Sequence, residues 1–322
     1  VPRHAARREP RPPEIRQRPI ALAEFIDAAA LIRLPMRRGC LISGAMNVVR
    51  TIAEARQRRG QSEGLALVPT MGALHAGHLS LMHLARRNAP AVAVSIFVNP
   101  TQFGPREDYT KYPRPIELDL QKCEETGVDW VFLPEAEEMY PPGSAETVVD
   151  LPQLSSVLEG KHRPGHFRGV CQVVSKLFNI LSPTVAVFGQ KDYQQLRIIT
   201  AMAEALNWPI RIVPGPTVRE HDGLAMSSRN QYLSETDRQK ALSISRALFL
   251  AKGEFTQGVR QTNRLTTSMQ RALLEQHLSI DYIAAVDPVT LKPVDVVNGP
   301  TVLAVAARVG TTRLIDNVII GG

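Results

Sequence analysis

Two histidines separated by Ala-Gly, His75 and His78, end the run Val68-Pro69-Thr70-Met71-Gly72-Ala73-Leu74-His75-Ala76-Gly77-His78. The run leaves an apolar stretch of strand length and enters a helical one. Both imidazoles therefore face one small volume at a helix N-terminus, where free N–H groups and the positive end of the helix dipole favour phosphate. Gly72 and Gly77 allow the backbone to approach a ligand closely. Zinc is the less attractive reading of this pair. The bare HxGH pattern is short, and two ordinary core or surface histidines would also produce it.

A second cluster, Phe188-Gly189-Gln190-Lys191-Asp192-Tyr193-Gln194-Gln195, sits at another strand-to-helix exit. Lys191 can neutralise phosphate, Asp192 can accept from ribose hydroxyls or hold a cation, and a Gln offers a donor and an acceptor. By itself this is also what a solvated helix start looks like. Met226-Ser227-Ser228-Arg229-Asn230 supplies two hydroxyls and a guanidinium suited to a terminal phosphate, although a serine-rich linker has the same composition. Asn99 and Gln102 follow the strand-like run 91–99 and offer amides to a small substrate. The basic stretch 161–170, with His166, suits an anion or a plain cationic surface loop. Three such clusters on one edge of one sheet are harder to dismiss than any one of them.

The elements that must hold these residues alternate along the chain. Helical patterns cover 48–59, 78–88, 115–127, 170–181 and 193–206, and apolar runs of strand length cover 65–70, 91–99, 129–133, 185–188 and 210–213. Buried strands separated by helices predict a Rossmann-like parallel sheet covered on both faces, with the loops after the strands along one ligand edge. After about Val218 the pattern changes. A capping sequence at 234–237 precedes helices over 237–252 and 259–277, then strand-like runs over 280–286, 301–307 and 314–320. The expected division is an N-terminal extension over 1–45, a Rossmann-like ligand-binding domain over 46–217, and a small α+β lid domain over 218–322. The extension carries five prolines and six arginines in its first 20 residues, with a short helix possible over 20–34. It is expected to be flexible, with the compact protein starting near Met46.

Composition narrows the function classes. The chain has 322 residues and a formal net charge of +7, but residues 1–45 contribute +5 and the remainder only +2. The basic character thus belongs to the extension. With 5% aromatic residues, the body has no obvious stacking platform or basic face for nucleic acid. No run of 18 apolar residues predicts a membrane span. Cys40, Cys123 and Cys171 form no CxxC pair, which points to ordinary thiols in a reduced cytoplasmic compartment.

Together the motifs at 68–78, 95–103, 163–170, 188–195 and 222–230 make the chain resemble the pantothenate synthetase (pantoate–β-alanine ligase) family. That family lies in the HxGH nucleotidyltransferase-like superfamily, shared with class I aminoacyl-tRNA synthetases. The resemblance spans about 46–322. It implies ATP-dependent joining of pantoate to β-alanine through a pantoyl-adenylate, with Mg²⁺ and a homodimer. It implies His78 as proton donor, with His75, Lys191 and Arg229 stabilising charge. Met71, Gly72, Ala73, Leu74, His75, Ala76, Gly77 and His78 then contact ATP, as do Gly189, Gln190, Lys191, Asp192, Val218, Met226, Ser227, Ser228 and Arg229. Gln102 and Gln195 match the pantoate amides, with Gln102 also toward β-alanine. Another HxGH-type nucleotidyltransferase acting on a small metabolite is the alternative, and Gln102 and Gln195 count against it.

Overall fold

Leu65–Thr70 (β2) is apolar at consecutive positions because both of its faces are covered. Leu65 and Leu67 pack on one side with Trp130, Phe178, Leu181 and Leu196. Ala66 and Val68 pack on the other with Leu81, Met82 and Ala85. The alternation of side chains across a strand divides one continuous run between two cores.

The computed structural model describes residues 46–322 apart from Arg106 and Asp108. The extension expected over 1–45, its short helix and Cys40 lie outside the described residues. In chain order the larger unit comprises β1 (Asn47–Val49), α1 (Ile52–Gly60), β2, α2 (Ala76–Asn88), β3 (Ala91–Ile96), α3 (Ile116–Glu125) and β4 (Trp130–Phe132). Three one-turn helices follow, α4 (Ala136–Met139), α5 (Pro152–Ser155) and α6 (Glu159–His162), then α7 (His166–Leu181), β5 (Val185–Gly189), α8 (Tyr193–Ala205) and β6 (Arg211–Gly215). The strands form a parallel sheet in the order β1-β4-β3-β2-β5-β6. The expected helix over 48–59 starts later, because Thr51 and Glu54 build a capping box before Ile52 and the preceding residues pair as β1 along β4.

The order places a topological switch between β2 and β5, where open α/β sheets bind ligands. The two strands separate there. β2 and β3 pair through Thr70 and Ile96, whereas the β2–β5 register ends at Leu67 and Ala186. The Leu65 carbonyl accepts from Thr184 on the β5 side and the Thr70 carbonyl accepts from Phe97 on the β3 side. By parity, Pro69 turns its nitrogen toward β5 beyond the last pair. A proline is tolerated in a central strand because its missing N–H falls at the opening of the cleft.

The smaller unit packs α9 (Glu235–Thr256) and α10 (Thr262–Leu274) on one face of an antiparallel sheet. Its strands are β7 (Ser279–Val286), β8 (Thr301–Val309) and β9 (Thr312–Ile320), in that order. Ser234 caps α9 by accepting from the Asp237 N–H, as the sequence predicts. Val286, Val302 and Ala304 join the apolar cluster of the large unit instead. The small sheet is thereby buried on both sides.

Candidate active site

His75 is the extended residue before α2 (φ −133°, ψ 174°), and its N–H donates to Nδ1 of His78 at 3.3 Å. That contact assigns the proton of a neutral His78 to Nε2 and leaves it a hydrogen-bond donor. The two rings lie 4.1 Å apart, centroid to centroid. No acidic side chain occupies the first turn of α2, so the positive helix end is not offset there. The glycine of the motif has a steric reason: a Cβ on residue 77 would lie 2.9 Å from Nδ1 and Cε1 of His75. Nδ1 of His75 is buried without a hydrogen-bond partner among the described residues. Burial, then the charge of Lys191, lowers the His75 pKa to about 4. Burial, then His75 and Lys191, holds His78 well below its ordinary value. Both imidazoles are therefore neutral near pH 7 before an anion arrives.

The turn that presents them is held from α3. The Asp119 carboxylate, fully buried, accepts from the N–H groups of Ala73 (2.7 Å) and Leu74 (2.8 Å). One turn later, Lys122 Nζ donates to the Leu74 carbonyl at 2.6 Å. Burial raises the Asp119 pKa, opposed by those two N–H groups and Lys122. Sequence reasoning missed Asp119, since one carboxylate in an amphipathic helix looks like a solvated face.

Gln102 ends a 3₁₀ turn, Pro100–Gln102, after β3. Asn99 anchors it. Its amide donates to Gln102 Oε1 and the Gly169 carbonyl, both at 3.1 Å, and its Oδ1 accepts from Thr101 and from the Tyr140 hydroxyl (2.9 Å). Asn99 is 1% exposed, so its polar atoms serve the protein more than a ligand. His166 lies behind the same turn, with Nδ1 2.8 Å from the Gln102 carbonyl and Nε2 3.0 Å from Arg163 Nη1. Arg163 forms a two-pronged pair with Glu107 at 2.6 Å. Burial and Arg163 lower the His166 pKa to about 4, which makes Nδ1–H the donor and Nε2 the acceptor. Tyr140 and Glu107 were not singled out from sequence, and neither carries a local motif.

After β5, a 3₁₀ turn at Gln190–Asp192 leads into α8. The segment 218–230 closes the opposite wall, where the Val218 carbonyl accepts from Met226 at 3.0 Å and Ser227 Oγ caps a 3₁₀ turn by accepting from Arg229. A cavity of about 240 Å³ opens between β2 and β5. Met71, His75, Gly77 and His78 line it from one side, Gly189, Lys191, Asp192 and Gln195 from the other. Gln102, Asn99 and His166 form a third wall, and Val218 with residues 226–229 a fourth. Gly72, Ala73, Leu74, Ala76 and Gln190 are not among the lining residues, although Gly72, Ala73 and Leu74 shape the turn. The cavity meets a cleft of about 720 Å³ between the two units, sharing Arg163, Lys191, Asp192, Ser227 and Arg229. The thiols of Cys123 and Cys171, elsewhere in the core, are pushed up to about 12 by burial and are inert.

Neutral imidazole donors, a helix N-terminus, a lysine and a hydroxyl-rich turn around one cavity suit an oligophosphate, and the two glutamine amides suit a small polar acid. A family profile described as Pantoate-beta-alanine ligase matches residues 44–319. Relatives called pantothenate synthetase include one from Moorella thermoacetica, 52% identical over 273 residues, covering 84% of this chain and 95% of its own. One from Fervidobacterium nodosum is 49% identical over 279 residues, covering 85% and 99%. Among solved structures, pantothenate synthetase from Thermus thermophilus superposes with a TM-score of 0.82 at 46% identity, over 85% of this chain and 99% of that one. A pantoate-beta-alanine ligase from Francisella tularensis, complexed with beta-gamma ATP and beta-alanine, gives a TM-score of 0.70 at 33% identity, over 85% and 98%.

Proposed function

The chain belongs to the pantoate–β-alanine ligase family and is an ATP-dependent ligase, and from that premise we propose how its own residues carry the reaction. The pantoate carboxylate attacks the α-phosphorus of ATP, an O–P bond forms, and pyrophosphate leaves with the electron pair of the broken P–O bond. The β-alanine amine then attacks the acyl carbon of the pantoyl-adenylate, AMP leaves, and the amine loses a proton. Pantothenate is the product. The convergence of the α2 N-terminus, Lys191 and the two glutamines on one cavity carries this reading.

The first step brings two anions together, so donors aimed at the phosphate provide much of the catalysis. His78, through Nε2–H, and His75 take that role beside Lys191 and Arg229. His78 meets the departing pyrophosphate as a donor through Nε2–H, its Nδ1 being engaged by the His75 N–H. An arriving triphosphate offsets the Lys191 charge, a lesser cause than burial of the lowered histidine pKa values. Gln102 and Gln195 hold pantoate, and Asn99 and His166 orient Gln102 from behind. Gly189, Asp192 and Val218 take the nucleoside. Alignment of bound reactants contributes most of the remainder, since no covalent enzyme intermediate is needed.

Mg²⁺ enters this proposal with the nucleotide. Among the described residues no three His, Cys, Asp or Glu side chains gather as metal ligands. The donor set fits a cation carried mainly by phosphate oxygens and water. Residues 46–217 form the ATP- and pantoate-binding unit, and 218–322 a smaller unit whose first segment, 218–230, is the part that closes over the site. A homodimer in the cytoplasm completes the reading, testable by light scattering and by fractionation. No described helix is long and apolar enough to cross a membrane.

Pyrophosphate release tests the reaction. With ATP and pantoate alone, about one equivalent per active site is expected in a burst, becoming continuous when β-alanine is added. Absence of the burst in active enzyme would remove the adenylate from the scheme.

A further inference from the structure

Two adjacent side chains of β9 leave the small unit and reach separate walls of the cavity. Asn317, 7% exposed, spends its amide on consecutive main-chain carbonyls of one turn, those of Gln190 (3.0 Å) and Lys191 (2.8 Å). Asp316, 4% exposed, accepts from both terminal nitrogens of Arg219, at 2.7 and 3.0 Å. Arg219 also donates to the Gly223 carbonyl and bridges to Ala225, so it braces the segment that ends in residues 226–229. The Asn317 N–H in turn donates to Asp316 Oδ1 at 2.8 Å. One strand of the second sheet thus ties the Lys191 turn to the turn bearing Arg229.

A short turn held only at its ends retains freedom about the bonds of each residue. Fastening two successive carbonyls fixes their peptide planes, and with them the direction in which the Lys191 side chain departs. We infer that Asp316 and Asn317 are a positioning pair that sets the spacing between Lys191 and residues 226–229 and so preassembles the triphosphate side of the cleft. The inference rests on the reading that both turns face the triphosphate. Neither residue lines the cavity, and both are positioning residues rather than catalytic ones. Their effect must appear in the step that moves phosphate and not in the later attack of the amine on the acyl carbon.

The test uses the full-length enzyme. Asn317→Asp keeps the side-chain shape but opposes two carbonyl oxygens with an acceptor, and Asn317→Ala leaves both carbonyls without the amide. Arg197→Met is the control, because Arg197 Nε bonds the Val289 carbonyl (2.8 Å) and fastens the same two units away from either turn. Adenylate formation is measured in a single turnover at saturating ATP and pantoate, and aminolysis by adding β-alanine to preformed adenylate. Both Asn317 variants should slow adenylate formation by about 10²-fold, the scale of a small misplacement of reacting groups. Their pantoate KM and aminolysis rate should stay near wild type, while Arg197→Met lowers the melting temperature without slowing adenylation. Wild-type adenylation rates in the Asn317 variants overturn the inference. So does an equal slowing in Arg197→Met, or failure of both Asn317 variants to fold, which assigns the residue to stability alone. A wild-type enzyme that forms no adenylate would count instead against the functional reading.

Discussion

His78 and Gln195 line one cavity, and under the proposed function they meet the reaction at different moments. His78→Ala should slow adenylate formation by about 10²–10³-fold, because its donor matters most as charge develops on phosphate. Gln195→Ala should instead raise the pantoate KM and leave turnover little changed, since its amide acts in ground and transition states alike. Single-turnover adenylation at saturating pantoate separates the two; a Gln195→Ala enzyme still slow there would mean that the amide aims the carboxylate. The histidines also predict a pH dependence of stability. His75 and His166 have pKa values lowered from 6.5 to about 4 on folding, so between those limits the unfolded chain binds more protons than the native one. Their contribution is full above about pH 6.5 and is lost as pH falls toward 4. Asp119, raised by burial, works in the opposite direction. The urea midpoint should fall from pH 7 to pH 5, with a shallower slope in His166→Gln. At this scale the sequence exposed groups whose chemistry is local, such as HxGH and Lys191. It hid Asp119 and Asn317, whose partners lie 46 and 126 residues away.

The first turn of α7 packs directly on the 3₁₀ turn that carries Gln102. A Cβ on Gly169 would lie 2.3 Å from the Thr101 carbonyl oxygen and 2.6 Å from the Gln102 nitrogen, both main-chain atoms. Gly169→Ala would ordinarily favour a helix by about 0.5–1 kcal/mol. Here overpacking should dominate and cost about 1–3 kcal/mol. The displaced Gln102 should raise the pantoate KM at the same time. Denaturant midpoints and steady-state kinetics check both halves, and an alanine variant as stable as wild type would show that α7 slides aside freely. Elements with strong periodicity were legible from residues alone: the expected strand over 185–188 is observed at Val185–Gly189, and the expected helix over 193–206 at Tyr193–Ala205. The three residues of β1 have no measurable period and pair only through β4, so they read as the start of α1. The Thr51…Glu54 spacing was the available signal for the true boundary. The one-turn helices α4 to α6 are set by tertiary contacts; Gln194, for instance, donates to the Leu154 and Val157 carbonyls.

Across the whole molecule, the two sheets share apolar material and not merely a hinge. Val286, Leu291, Val302 and Ala304 of the small unit lie in one cluster with Phe167, Tyr193 and Leu196 of the large one. Beside them Arg313 grips Glu159 with two nitrogens, at 2.5 and 2.8 Å, and reaches Asp281 with its third at 2.6 Å. Under the proposed function, closure over ATP is therefore expected in segment 218–230. Small-angle scattering with a non-hydrolysable analogue should show an almost unchanged radius of gyration despite binding. The same continuity predicts one cooperative unfolding transition by calorimetry. Arg313→Ala leaves the Glu159 carboxylate, 6% exposed, without its countercharge and should cost about 3–5 kcal/mol. Much of that cost is the penalty of a buried unpaired charge and not the worth of the pair itself. Combining Arg313→Met with Glu159→Leu should therefore recover most of the loss, provided the new side chains fill the same volume. If the double variant is instead as unstable as Arg313→Ala, the ion pair and its geometry, including the reach to Asp281, hold the units together. Two separated transitions in the wild-type protein would show that the small unit folds by itself and that the shared cluster is only a surface contact.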